Sequence, residues 1–408
     1  AAARCYHPRL TCLSLEYLPM KRLLVVVVLA LSACRGDAES TAVVPPPQAV
    51  KDAVPEQYES EKGRYAVTPL VKGLVHPWGL AFLPDGAMLV TERPGRLRRI
   101  TQSGVISEPI SGLPKIFVDG QAGLLDVAVS PTHATDQFVY LSFAEPTLRG
   151  NKAGTAVLRG RLQGDALQGV EVIYRQQPKL SHGTHVGSRL VFDDAGHLFI
   201  THGDYRVAAA AAQELDKLPG KLVRIWPDGR VPDDNPFVDR GGARPEIWSY
   251  GHRNMQGAAL HPVTRQVWTT EHGPMGGDEL NIPQAGRNYG WPVITHGIDY
   301  SGKPVPGSTG KSAPGMEQPH HVWPVSPGLS GMAFYTGDLL PQWKGNLFLG
   351  GLASSDLIRL ELDGDKVVHE ERLLKQRQQR IRDVRQGPDG ALYVLVDAED
   401  GMLLKITP

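Results

Sequence analysis

The chain has 408 residues and a formal net charge of zero, with 43 basic and 43 acidic residues. That length allows two or three ordinary domains or one large all-β domain, and the balanced charge removes the electrostatic case for a nucleic-acid partner, which would call for a basic face. The 45 glycines and 33 prolines are turn-rich and favour many short strands over long helices.

In chain order, MKRLLVVVVLALSAC, from Met20 to Cys34, has a basic start, an apolar stretch of signal-peptide length and then small residues. It is too short for a membrane span. The ending Leu31-Ser32-Ala33-Cys34 resembles a bacterial lipobox, in which the cysteine is lipidated and becomes the mature N-terminus. Residues 1–34 therefore read as an upstream extension plus signal peptide, with Met20 as the start. The protein is expected to be exported to the periplasm and held on the outer membrane through a lipidated Cys34; plain secretion with cleavage nearby is the alternative. All three cysteines, Cys5, Cys12 and Cys34, lie in this leader, so the folded part is expected to carry neither disulfides nor a cysteine-built zinc site. Residues 35–63, polar and proline-interrupted, read as a flexible tether, and 64–408 as the folded domain.

Within that domain one phrase recurs: apolar strand, turn, apolar strand. It appears as WGLAFLPDGAMLVTE from Trp78, LLDVAVSPTHATDQFVYLSF from Leu124 and SRLVFDDAGHLFITHGD from Ser188. It returns as GAALHPVTRQVWTTEHG from Gly257, SGMAFYTGDLLPQWKGNLFLGG from Ser330 and IRDVRQGPDGALYVLVD from Ile381. Each central turn uses Pro, Asp, Gly or Asn, and the spacing is that of propeller blades. Almost nothing between the copies has a helical apolar period; residues 208–218 are a short exception. The expected fold is all-β, a six-bladed β-propeller with its chemistry in the loops facing the channel. A two-domain β-sandwich is the alternative.

Five polar, glycine-rich segments flank the repeats: GQAGLLDV (120–127), HGTHVGSR (182–189), WSYGHRNMQG (248–257), EHGPMGGDELNIPQAGRNYGWP (271–292) and QRIRDVRQGPDG (379–390). Singly each is a weak signal. Together, and with GKLVRIWPDGRVPDDNPF, they resemble the soluble, calcium-dependent quinoprotein family of aldose sugar and glucose dehydrogenases, which use pyrroloquinoline quinone (PQQ). The likeness runs from about Val71 to Pro408, and the family fold is a six-bladed propeller.

The resemblance implies that His185 is the catalytic base, taking a proton from the C1 hydroxyl of an aldose while hydride passes to PQQ and the sugar leaves as its lactone. An imidazole with an ordinary pKa near 6.5 suits that task. The resemblance also implies that Arg253 and Asn254 lie by the reactive quinone oxygens, that Gln121 and Tyr300 contact the cofactor region, and that Arg380 and Arg382 pair with PQQ carboxylates. Two arginines two apart on a strand point the same way, which fits that pairing. Calcium is implied twice: at the backbone carbonyls of Gly273 and Pro274 beside PQQ, and at a structural site using Glu279 and Tyr289. The natural electron acceptor is not readable, and no haem-attachment motif C-x-x-C-H is present.

Two departures from the family pattern stand out. Ala353 occupies a position where the family often has a lysine beside PQQ, and Lys311 is the neighbour that could replace it. Thr184 precedes the base where an Asp or Asn is usual, removing a carboxylate that would raise the basicity of His185. Among the neighbouring histidines, His182 lies on a glycine-broken segment that disfavours a metal pair with His185. His197, in a turn, is expected to face solvent, and His202, at a strand end, is a candidate for lining the sugar site. Rival readings are a calcium-dependent lactonase-type propeller hydrolase, which would leave the three arginines idle, and a non-enzymatic binding propeller.

Overall fold

The computed structural model describes residues 46–408. The leader with Met20 and Cys34, and the tether up to residue 45, lie outside the described residues.

The strands form six antiparallel sheets, five of them with four or more strands and one with three. Each begins with one of the six repeated phrases: the opening strands are Pro77–Phe82, Leu124–Val129, Leu190–Phe192, Met255–Leu260, Leu329–Phe334 and Ile381–Gln386. Each opening strand touches the opening strand of the next sheet, and the last touches the first, so they close a ring. The molecule is a six-bladed β-propeller, as the repeats predict, with these strands innermost.

The core is divided into wedges between blades. In the first blade, Leu89 and Leu97 pack with Leu124, Leu141 and Phe143 of the second, while Met88, Val90 and Ile100 pack with Tyr393, Leu395 and Leu403 of the sixth. Successive side chains in a strand point to opposite faces, so a strand buried on both faces needs an apolar residue, or a polar one with partners, at every position. Met88–Glu92 accordingly is buried throughout. Further wedges fill the junctions between blades two and three, three and four, four and five, and five and six.

The sixth blade joins the two ends of the domain. Its strand Gly401–Thr407 pairs antiparallel with the long strand Gly63–Leu74, with Lys405 opposite Thr68 and Thr407 opposite Ala66. The described part of the expected tether is also folded, which corrects the boundary at 63. Glu56–Ser60 pairs with Gly63–Val67, and Gln48–Ala49 pairs with Val71 and Lys72. Edge pairing supplies the backbone partners there, and the Tyr58 ring stacks on Tyr65 at 5.5 Å. The alanine-rich exception is a single 3-10 turn, Ala209–Gln213. Among the described residues no helix is long and apolar enough to cross a membrane.

An ion-pair knot fills the axis. Arg189, at the start of the third blade, is buried, and its Nη1 lies 3.1 Å from Asp126 Oδ1 of the second blade and 3.2 Å from Asp383 Oδ2 of the sixth. Its Nε donates to the Gln256 carbonyl, its Nη2 donates to the Arg382 carbonyl, and its guanidinium lies 4.1 Å over the Trp78 ring. One side chain thereby ties five blades together.

Candidate functional site

His185 sits in the loop leading into the third blade, with φ of +51°. A non-glycine residue in this region persists only where its surroundings hold it. Its amide N–H donates to Gln121 Oε1 at 2.9 Å, and its carbonyl accepts from Tyr205 N at 3.2 Å. The close approach needs a glycine at 203, because a Cβ there would lie 1.8 Å from the His185 carbonyl oxygen.

The imidazole is held by a carboxylate. His185 Nδ1 lies 2.7 Å from Asp204 Oδ1, which also accepts from Arg206 N, while Asp204 Oδ2 accepts from Trp291 Nε1 at 2.8 Å. Burial pushes the Asp204 carboxyl up, but the hydrogen bond and charge of His185 and the charge of Arg253 outweigh it, so Asp204 lies below the usual range and is ionised. An ionised partner makes Nδ1 the protonated nitrogen and leaves the Nε2 lone pair free. Among the described residues Nε2 has no hydrogen-bond partner, and it is not among the buried orphan atoms. Burial pulls the imidazole below its ordinary value of 6.5; the Asp204 bond opposes this, and Arg253 adds to it. At neutral pH the ring is an uncharged base. Asp204 therefore supplies the carboxylate missing at position 184, where the Thr184 hydroxyl instead bonds His182 Nδ1 at 2.7 Å.

Arg253 and Asn254 lie against the same turn: Asp204 N donates to the Arg253 carbonyl, and Gly203 bridges Asn254. Arg253 Nη1 donates to the carbonyls of His272 and Gly273 at 2.9 and 2.5 Å, and its guanidinium lies 5.1 Å over the Trp291 ring. Asn254 is buried, its Oδ1 accepting from Gly187 N and from Gln256 Nε2.

Beside this group opens a cleft of about 580 Å³ whose wall includes Gln121, Gly273, Pro274, Tyr300, Arg380 and Arg382. That volume is in the range of small-ligand sites. Arg380 and Arg382 do point the same way: Arg380 Nη2 and Arg382 Nη2 reach Asp397 Oδ2 at 3.2 and 3.0 Å. Asp397 Oδ1 also meets His76 Nδ1 at 2.8 Å. Arg382 is buried, and its Nε has no partner. Tyr300 stands exposed at the rim with Arg206 5.7 Å over its ring. Ala353 lines the cleft, as does Arg93, whereas Lys311 is not on the cleft wall, so the expected replacement by Lys311 is corrected. A flat tricarboxylate such as PQQ fits this lining: two guanidiniums on one wall, one carrying an unpartnered buried N–H, can pair with planar carboxylates.

Among the described residues no three His, Cys, Asp or Glu side chains are grouped to hold a metal, so a cation here would draw on carbonyl oxygens as well. Behind Gly273 a small hollow of about 10 Å³ is lined by Glu271, Gly273, Glu279 and Tyr289. It has room for the centre of one water-sized particle. Glu279 accepts a single hydrogen bond, from Asn281 Nδ2 at 3.1 Å, while Asn281 Oδ1 is buried with no donor. Burial, and then the charge of Glu271, pushes the Glu279 carboxyl up to about 8. A cation in the hollow would sit against Glu271 and Glu279 and hold the Glu279 carboxyl ionised, so these residues fit one. The Tyr289 hydroxyl donates to the Ile282 carbonyl and accepts from Gln284 N, leaving the backbone carbonyl as the oxygen Tyr289 can offer.

Two histidines differ from expectation. His197 is buried, bonded to Asp193 Oδ2 at 2.8 Å and packed against Trp226, so it does not face solvent. His202 is buried away from the cleft between the Tyr174 hydroxyl and the Lys221 carbonyl, and burial lowers it to about 3. Sequence reasoning missed Asp204, Trp291, Asp397 and Arg93. Only Asp204 left a signal, as a carboxylate closing the FITHGD segment two residues beyond His202.

A family model described as glucose/sorbosone dehydrogenase matches residues 74–405. An aldose sugar dehydrogenase of Escherichia coli K12 is 52% identical over 338 residues, covering 82% of this chain and 91% of that protein. The crystal structure of the soluble aldose sugar dehydrogenase from Escherichia coli in the apo-form superposes with a TM-score of 0.82 at 50% identity, over 84% of this chain and 99% of that one. The PQQ-bound form of an aldose sugar dehydrogenase from Streptomyces coelicolor gives a TM-score of 0.68 at 26% identity, over 84% and 98%.

Proposed function

Since this chain belongs to the glucose/sorbosone dehydrogenase family, we propose that it oxidises aldose sugars at C1 to lactones, with PQQ and calcium as cofactors and His185 as general base. The observation that carries this reading is the free Nε2 of a neutral His185, fixed by ionised Asp204 beside a cleft lined with guanidiniums. When bound, PQQ supplies the two-electron acceptor for hydride, and calcium acts on it as a Lewis acid.

The chain's own residues do the rest. His185 Nε2 takes the proton of the C1 hydroxyl, and Asp204 stabilises the imidazolium that forms. Arg253 and Asn254 offer donors where negative charge develops. Arg380 and Arg382 hold carboxylates, Gln121 fixes the base through its backbone, and Tyr300 offers an apolar face at the rim. Gly273 and Pro274 would hold the ion beside the cofactor, and Glu279 with Tyr289 the second ion. The Gly273 carbonyl already accepts from Arg253, so the two cationic demands on it are coupled. Export and lipid attachment through Cys34 belong to the same proposal and rest on the leader sequence.

The test is to add PQQ and calcium to purified apo-protein, follow dye reduction with a panel of aldoses, and identify the product. Dye reduction with lactone formation is the expected result. No reduction with any aldose refutes the reading, and lactone hydrolysis by cofactor-free protein would favour a hydrolase instead.

A further inference from the structure

We propose that Arg93 is a third guanidinium of the cofactor cradle and pairs with a carboxylate of PQQ. This rests on the PQQ reading above. Arg93 lies in the turn between the first-blade strands Met88–Glu92 and Arg96–Ile100, and it lines the same cleft as Arg380 and Arg382. The turn is fixed on both sides: Arg93 N donates to the His76 carbonyl at 3.0 Å, and the Arg93 carbonyl accepts from Leu124 N at 3.0 Å. The side chain is thus presented by a rigid support joined to the second blade and to the loop that carries His76.

What sets Arg93 apart is its lack of a counter-charge. The adjacent carboxylate, Glu92, already accepts from Val75 N, Arg96 and Arg98. Of the two carboxylates on the cleft wall, Asp397 holds Arg380, Arg382 and His76. Asp278 accepts the backbone N–H groups of Gly273, Gly328 and Leu329. Among the described residues the Arg93 side chain has no hydrogen-bond or ion-pair partner. Three guanidiniums thus face two engaged carboxylates, an excess of one positive charge. PQQ carries three carboxyl groups, and with only Arg380 and Arg382 as partners one of them would lack a guanidinium. A fork-shaped cation on the first blade, away from the pair on the sixth, supplies it. Ala353, which also lines the cleft, provides no charge.

The experiment is a titration of apo-protein with PQQ, without sugar, read by quenching of tryptophan fluorescence. Arg93→Gln should raise the PQQ Kd about 10- to 100-fold, the loss of one charge-assisted hydrogen-bonded contact. Its Kd should also depend less steeply on salt than that of the wild type. Arg93→Lys should recover part of the affinity, and so should Ala353→Lys in the Arg93→Gln background, by returning a cation to the cleft. A wild-type Kd in folded Arg93→Gln, or a variant that changes only the KM for sugar, overturns the assignment. If Arg93→Gln does not fold, Arg93→Lys, which keeps the charge but not the fork, serves instead: an unchanged PQQ Kd in it overturns the assignment. Failure of the wild type to bind PQQ at all overturns the cofactor reading instead.

Discussion

Replacing Asp204 with Asn tests the heart of the site, because it changes one charge at almost constant shape. Asp204 accepts three N–H donors: His185 Nδ1, Arg206 N and Trp291 Nε1. An Asn side chain has one oxygen and one NH2. If the NH2 faces His185, it stabilises the tautomer with the proton on Nε2, and the base has no lone pair for the substrate. If it faces Trp291, two donors oppose one another in a buried site, and the charge that stabilises the imidazolium is gone either way. A positioned base contributes about 10²–10⁴ in rate, so a loss of about 10³ in kcat, or ~4 kcal/mol of barrier, is expected. The pH profile adds an independent sign. Activity falls as pH drops and His185 protonates, with the acid limb already below 6.5 because burial outweighs the Asp204 bond. Removing that bond removes a raising influence, so the limb of the residual activity should move to still lower pH. The assay is dye reduction by PQQ-loaded enzyme across that range at subsaturating sugar, with calcium and PQQ binding measured separately. A variant retaining most of its activity, or one whose acid limb moves upward, would refute the proposed pairing.

His185→Ala should leave PQQ and calcium binding nearly intact while turnover falls by about 10² or more; retained activity in a steady-state assay would mean another residue takes the proton. Arg189→Met should destabilise the fold by about 3 kcal/mol, measured by urea unfolding, because buried Asp126 and Asp383 lose their shared partner while Arg385 remains. A loss below about 1 kcal/mol would show that the axial knot is dispensable. Chelation of calcium should lower the melting temperature even without PQQ, with re-addition restoring about 2.7 kcal/mol at a free calcium of about 100 Kd. Glu279→Gln should abolish that response, and a wild type whose melting temperature ignores calcium would remove the ion from the hollow behind Gly273.

The blades were readable because their inner hairpins are buried on both faces, which forces runs such as Met88-Leu89-Val90 between turn residues. The same property hid the fate of His202, since alternation cannot say which side of a doubly buried strand faces the channel, while His197 is buried by Asp193 and by Trp226, a residue 29 positions away that no local pattern names. Glu56–Ser60 went unread as a strand because its pattern is polar and its pairing is supplied by Gly63–Val67, a neighbour rather than a periodicity. His185, Arg253, Arg380 and Arg382 were found through their motifs; the structure puts Arg380 and Arg382 on the cleft wall, and His185 behind it, joined to the cleft residue Gln121 by its backbone N–H. Asp204 was not, since its contact with His185 spans 19 residues and depends on the turn at Gly203. Arg93 and Asp397 carry no motif, and only the folded ring shows what each of them faces.

The pairing of Gly401–Thr407 with Gly63–Leu74 has a consequence for how the chain acquires its shape. Bringing together segments separated by about 330 residues carries a chain-entropy cost of roughly 5 kcal/mol beyond the constant term of loop closure. Nothing offsets that cost until Gly401–Thr407 is available, so the ring cannot lock before that strand has been made and has paired with Gly63–Leu74. The blades made before it can each form their own hairpins, but the wedge between the first and sixth blades stays open until this one strand closes it.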